Sequence, residues 1–263
     1  MKRLFVLGLW LTQLAVAQFA VSRDGSILDF SSCAGLREEP LTLNPCRIYR
    51  HGTEPTVRLE ANETLEIGSP YLSADGKVSG FIGRINDRRA IGIYSPEGIE
   101  SFEGNWRAIS RNARYVATAF YQPEKLLTVL DRQTGARHSY PFEQTTVAVG
   151  TISDQGDLLF FDRQILWFIP FGKPPSPLVE GMLLVQASIT ADGNQAFVSA
   201  IIPPGKLNFN TTYSLAEIDL ASRVRRVLYE GPETIDSFAP SANGQRLLRQ
   251  RRGELLLWDS NGG

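Results

Sequence analysis

The chain is poor in the residues that most often carry chemistry. Its 263 residues include two cysteines, two histidines and two methionines. His51 and His138 lie far apart and outside any recognisable motif, so a hydrolytic serine would lack an evident base beside it. No Gly-x-Ser-x-Gly elbow occurs, and the glycines fall in turn-like sequences rather than in a phosphate-cradling loop. Adjacent carboxylates such as Glu38 and Glu39 would point apart in extended backbone. No cofactor is expected, and enzymatic activity has no candidate catalytic residue. Charge of one sign is missing as well. A formal net charge of −1 lacks the basic excess of a dedicated nucleic-acid binder, and no nucleic-acid partner is expected.

Long apolar runs are also scarce. The single marked run, Leu4 to Leu11, follows Lys2 and Arg3 and precedes Ala15-Val16-Ala17. Positive charge, a short apolar core and small residues before a cut form the pattern of a secretory signal peptide over residues 1–17. A membrane anchor would need roughly 20 apolar residues, and Thr12 and Gln13 interrupt this run first. Residue 18 is Gln rather than Cys, which argues against a lipid anchor there. The mature chain, residues 18–263, is therefore expected to be secreted or periplasmic, with no membrane span. Two thiols in an exported chain usually pair, so Cys33 and Cys46 are expected to form a disulfide. If unstrained, such a bridge would stabilise by about 3 kcal/mol. Metal binding by this pair would need further ligands that the distant histidines do not supply.

What the sequence does contain is a repeated corner. It reads Ser22-Arg23-Asp24-Gly25, Ser73-Ala74-Asp75-Gly76, Ser110-Arg111-Asn112-Ala113, Ser153-Asp154-Gln155-Gly156, Thr190-Ala191-Asp192-Gly193 and Ser241-Ala242-Asn243-Gly244. The intervals of 51, 37, 43, 37 and 51 residues suit four short strands with turns. Asp-Gly or Asn-Gly between apolar runs suits a two-residue hairpin turn with both central residues at positive φ, and the preceding hydroxyl can bond the turn backbone. Ala113 and Gln155 fit that turn less well and are expected to use another geometry. A β-rich run follows each corner, as in Tyr115 to Phe120 and Ala196 to Ser199. A third run comes next, among them Ala90 to Tyr94, Leu126 to Asp131, Ile165 to Ile169, Leu215 to Asp219 and Leu255 to Asp259. Poorer fourth strands, such as Val57 to Leu59 and Arg226 to Tyr229, close most units, and short runs such as Trp106 to Ile109 open the next.

These repeats resemble the TolB-type, WD-repeat-like β-propeller family, whose units carry a Ser-Pro-Asp-Gly turn, an apolar strand and a strand ending near Asp. The resemblance covers residues 19–263, and none of the six corners has the family's Pro. It implies an all-β propeller of about six four-stranded antiparallel blades. The last is incomplete, because the sequence stops after its third strand. The expectation is either the front portion of a longer polypeptide or a final blade that stays three-stranded and shields its edge otherwise.

In a propeller the loops between second and third strands share one face, around the channel mouth, where members of the family generally bind. Those segments are net positive here while the rest of the mature chain is net acidic, which could focus an anionic partner. The candidate binding residues are Arg84, Arg88, Arg89, Arg249, Arg251 and Arg252, with Phe209 as an anchor on the long Ile201 to Tyr213 loop. The alternative is a solvated face whose arginines pair with neighbouring acids. Asn62-Glu63-Thr64 and Asn210-Thr211-Thr212 match the N-glycosylation acceptor pattern. The functional expectation is an exported scaffold binding a protein, peptide or glycan. The rival is the propeller domain of a larger secreted hydrolase whose catalytic domain lies beyond residue 263.

Overall fold

The computed structural model describes residues 18–22, 26–32, 47–50, 56–62, 64–95, 97–121, 125–142, 150–162, 165–181, 183–202, 211–235, 237–251 and 254–259. All regular structure in them is β. The chain forms two compact units, Met1–Asn105 and Trp106–Gly263. The first holds two antiparallel sheets. One runs in the order β1 (Gln18–Val21), β2 (Leu28–Ser32), β3 (Arg47–Arg50) and β4 (Thr56–Glu60). The other is β5 (Leu65–Leu72), β6 (Ser79–Ile85), β7 (Arg88–Ser95) and β8 (Gly98–Glu103).

The second unit holds four sheets. The third sheet of the chain is β9 (Trp106–Ile109), β10 (Tyr115–Phe120), β11 (Leu126–Asp131) and β12 (Arg137–Pro141). The fourth is β13 (Thr151–Ile152), β14 (Leu158–Asp162), β15 (Ile165–Ile169) and β16 (Ser176–Glu180). The fifth is β17 (Leu183–Ile189), β18 (Gln195–Ile202), β19 (Thr212–Asp219) and β20 (Arg225–Gly231). Among the described residues the sixth has three strands, β21 (Ser237–Pro240), β22 (Arg246–Arg251) and β23 (Glu254–Asp259). As expected of about six four-stranded blades with the last incomplete, five four-stranded sheets and a final three-stranded one form among the described residues. The third strand of the first sheet, Arg-Ile-Tyr-Arg, is too short and too charged to stand out in the sequence.

The five fully described corners, at Ser73, Ser110, Ser153, Thr190 and Ser241, each join the first and second strands of a sheet, but not through the expected two-residue turn. In the Ser73 corner the Gly76 amide donates to the Ser73 carbonyl at 2.9 Å, and Ser73 N–H closes the loop on the Val78 carbonyl at 2.8 Å. Only the fourth position is left-handed, with Gly76 at φ 73°. The Ser73 hydroxyl donates to Asp75 at 2.6 Å and accepts from Val78 N–H at 2.9 Å. Asp75 in turn accepts from Lys77 N–H at 3.1 Å. The side chains thus satisfy backbone groups that the turn leaves over. Ala113 does not need another geometry: it takes the same left-handed conformation at φ 61°, with the same Ser110 and Asn112 bonds. The Gln155 corner is one residue shorter, Ser153 N–H closing on the Asp157 carbonyl at 2.8 Å.

The core lies between sheets. Ile48 of the first sheet packs with Leu65, Ile67 and Phe81 of the second. In the second unit Ala117, Leu127 and Val129 meet Leu158 and Phe160. Leu159, Leu166 and Phe168 meet Ala196, Val198 and Ile218. Phe197 and Leu215 meet Phe238 and Leu247. A middle strand such as β18 is therefore apolar on both faces, and its Ala196 to Ala200 stretch is buried throughout. Burying a side chain of this size contributes about 1.5–3 kcal/mol, so the stack of faces is the principal source of stability.

Candidate functional site

Charge pairs occur at both ends of the sheets, but the buried carboxylates lie at the end carrying the corners. At the end carrying the Ser/Thr corners, charged groups are paired with each other. Asp29, fully buried, accepts from Arg50 Nε at 2.8 Å, from Arg50 Nη2 at 3.0 Å and from the Ser79 hydroxyl at 3.0 Å. In the second unit Arg114 grips Asp131 through Nε at 3.0 Å and Nη2 at 2.7 Å. That guanidinium holds the Asp131 carboxyl well below the ordinary carboxylate range. Glu217 accepts from Gln195 Nε2 at 2.7 Å and from Arg226 Nε at 2.9 Å. These are bidentate or multiply bonded pairs that fix strand ends. They leave little for a ligand.

The opposite end carries the turns between second and third strands. In the first unit β6 and β7 are joined by Asn86 and Asp87, at φ 50° and 62°, the mirror-image turn that suits a tight hairpin. Arg84, Arg88 and Arg89 are strand residues flanking it, all exposed. Two are paired: Arg84 lies 3.6 Å from Glu66, and Arg88 lies 3.0 Å from Glu103. Exposed pairs of this kind hold weakly and remain available to a stronger anion.

In the second unit Arg249 lies on β22 rather than in a loop. Its guanidinium stacks over the Tyr229 ring at 4.6 Å, and its buried Nε finds no acceptor among the described residues. It is half-buried, packed against a ring of the fifth sheet. Arg251 is also a β22 residue. Phe209, Arg252, Cys33 and Cys46 lie outside the described residues, as does His51. His138 is within β12, half-buried, with its ring edge-on to Phe171 at 4.7 Å. No group of three or more His, Cys, Asp or Glu side chains able to hold a metal occurs among the described residues.

A feature that sequence reasoning missed lies at this same end of the second unit. Trp106 meets Phe160 edge-on at 6.4 Å, Phe160 meets Phe142 at 5.4 Å, and Phe142 meets Tyr121 at 6.2 Å. Trp106, Tyr121 and Phe142 are half-buried, and neighbouring Phe120 at the end of β10 is 39% exposed. The string starts at β9 and runs past the ends of β10 and β12. Its signal was present as Phe120-Tyr121 and Phe142 at or just past strand ends. Aromatics near strand ends are common enough that only the assembled sheets bring these together.

No family model matches the chain. No curated protein matches it either. Solved structures do. An oligogalacturonate lyase in complex with manganese superposes with a TM-score of 0.66 at 12% identity, over 94% of this chain and 74% of that one. A structure designated TolB from Agrobacterium tumefaciens gives a TM-score of 0.52 at 11% identity, over 81% of this chain and 80% of that one. The tricorn protease gives 0.53 at 12% identity, over 89% of this chain and 25% of its own. The fold is a β-propeller, and the TolB-type resemblance read from the corners is matched at the level of fold. Identities this low extend no further than fold.

Proposed function

We propose that the chain is an exported propeller scaffold that binds a protein, peptide or glycan partner at the end of its sheets bearing the second-to-third-strand turns, with no catalysis of its own. The observation that carries this reading is exposed Phe120 beside half-buried Tyr121, Phe142 and Trp106, the last two resting on the buried Phe160. Apolar rings with polar edges at a surface are the residues that most often anchor partners. The burial of the paired carboxylates Asp29, Asp131 and Glu217 at the opposite end supports the same choice of surface. In the first unit, taken by itself, the Arg84, Arg88 and Arg89 hairpin is a separate source of attraction for anionic partners.

The test is binding of the mature chain to glycan and peptide panels, repeated with Phe120→Ser and Tyr121→Ala. A ligand whose affinity falls at least tenfold in these variants is expected; one that binds them as well as the parent places recognition elsewhere. Export is checked by sequencing the amino terminus of the exported protein, which should begin at Gln18. The rival reading is the propeller part of a larger hydrolase. It is favoured by the likeness to the tricorn protease, of which the matched part is only 25% of the chain. A nucleophile elbow followed by Asp and His in reading frame beyond residue 263 would decide for it.

A further inference from the structure

The connection between β4 and β5 holds Asn62 and Thr64, both exposed. Asn62 N–H donates to the Leu65 carbonyl at 3.1 Å, and Leu65 N–H returns a bond to the Asn62 carbonyl at 3.2 Å. Inside this closed turn the Asn62 side-chain oxygen accepts twice, from Thr64 N–H at 2.9 Å and from the Thr64 hydroxyl at 3.0 Å. A backbone N–H can only donate, so the amide atom facing it is the oxygen and the nitrogen is the other one. Among the described residues Nδ2 gives its hydrogens to no acceptor. The turn is anchored from behind by Asn86 N–H, which donates to the Thr64 carbonyl at 2.7 Å.

We infer that Asn62 is an acceptor site for an N-linked glycan. The inference rests on the export reading, since the modifying enzyme works outside the cytoplasm. The residue types match the acceptor pattern, with Glu63 rather than Pro in the middle. A hydroxyl hydrogen bond to the amide oxygen polarises the group that must react. In the transfer, Asn62 Nδ2 forms a bond to the anomeric carbon of a glycan carried on a polyprenyl pyrophosphate. The carbon–oxygen bond to the pyrophosphate breaks, the electron pair leaves with that pyrophosphate, and one amide proton passes to a base of the transferase. No oxidant or reductant is needed. Both bonds to Oδ1 survive the reaction, because Nδ2 alone is substituted, so the modified turn keeps its fold. The attached glycan would stand beside the β6–β7 hairpin that carries Arg84, Arg88 and Arg89.

The experiment is expression of the full chain in a eukaryotic secretory host, once with residues 1–17 as leader and once with the host's own leader. Total cell and medium protein is mapped by mass spectrometry before and after peptide-N-glycosidase. With the host leader, a glycan on Asn62 is expected, lost completely in Asn62→Gln and in Thr64→Val and kept in Thr64→Ser. Unmodified Asn62 with the host leader overturns the proposal. Modification with the host leader but not with residues 1–17 leaves the site standing and counts against the export reading alone.

Discussion

At the scale of single residues the informative group is Asp157, which follows the shortened Ser153 corner. Its Oδ1 accepts from Phe171 N–H at 3.0 Å, while a Cβ on Gly193 would lie 2.8 Å from its Oδ2. Burial pushes this carboxyl above its ordinary value, against the opposing effects of the Phe171 bond and Lys173. The folded protein then binds a proton more readily than the unfolded chain. Stability is lost as pH rises from the ordinary carboxylate range through the raised folded value. Asp157→Asn keeps an oxygen for Phe171 and removes the desolvated charge. It is expected to raise the melting temperature at pH 7 and to lose that advantage below about pH 4, where the unfolded carboxyl is also protonated. A shift of equal size at both pH values would show that the charge is not the cause.

At the scale of elements, the corners do more than end strands. Asp154 N–H donates to the Ala191 carbonyl at 2.8 Å, and Ala191 N–H donates to the Ala242 carbonyl at 3.0 Å. The second positions of three successive corners are thus linked from sheet to sheet. A proline at the second position, as in the TolB-type pattern, has no N–H to give. Its absence here has a use. Ala191→Pro should therefore cost about 1 kcal/mol more than Ala74→Pro, whose site shows no such bond among the described residues. Chemical denaturation of both variants checks this, and equal stabilities would remove the role given to the bond. The corners, and hence the sheets, were legible because one polar triplet must supply both the turn and its side-chain bonds. The form of the turn was not legible, since Asp-Gly serves several. β3 was hidden because its register is set by β2 and β4 rather than by its own Arg-Ile-Tyr-Arg. Sequence shows Arg249 within a basic cluster but not the Tyr229 ring on which its guanidinium stacks.

At the scale of the whole molecule, the same structural row recurs with different fates. Ala117, Leu159 and Phe197 occupy equivalent positions on the second strands of the third, fourth and fifth sheets, and each is fully buried. Their cross-strand partners Val129, Phe168 and Glu217 are 1%, 7% and 9% exposed. In the sixth sheet the corresponding pair is Leu248 and Leu257, exposed by 41% and 65%. Phe197→Ala should cost about 3–5 kcal/mol, as for a filled core. Leu248→Ala should change stability within about 0.5 kcal/mol, as for a surface position. Comparable losses in both variants would mean that this face is covered in solution.

That leucine pair bridges β22 and β23, and β23 has no fourth neighbour among the described residues. Backbone amides and carbonyls along such a margin accept any extended chain that arrives in register. Where no further strand covers that margin, protein concentration, more than temperature, governs whether molecules stay apart. Charge placed on that margin, rather than a larger core, is the change that would keep them so.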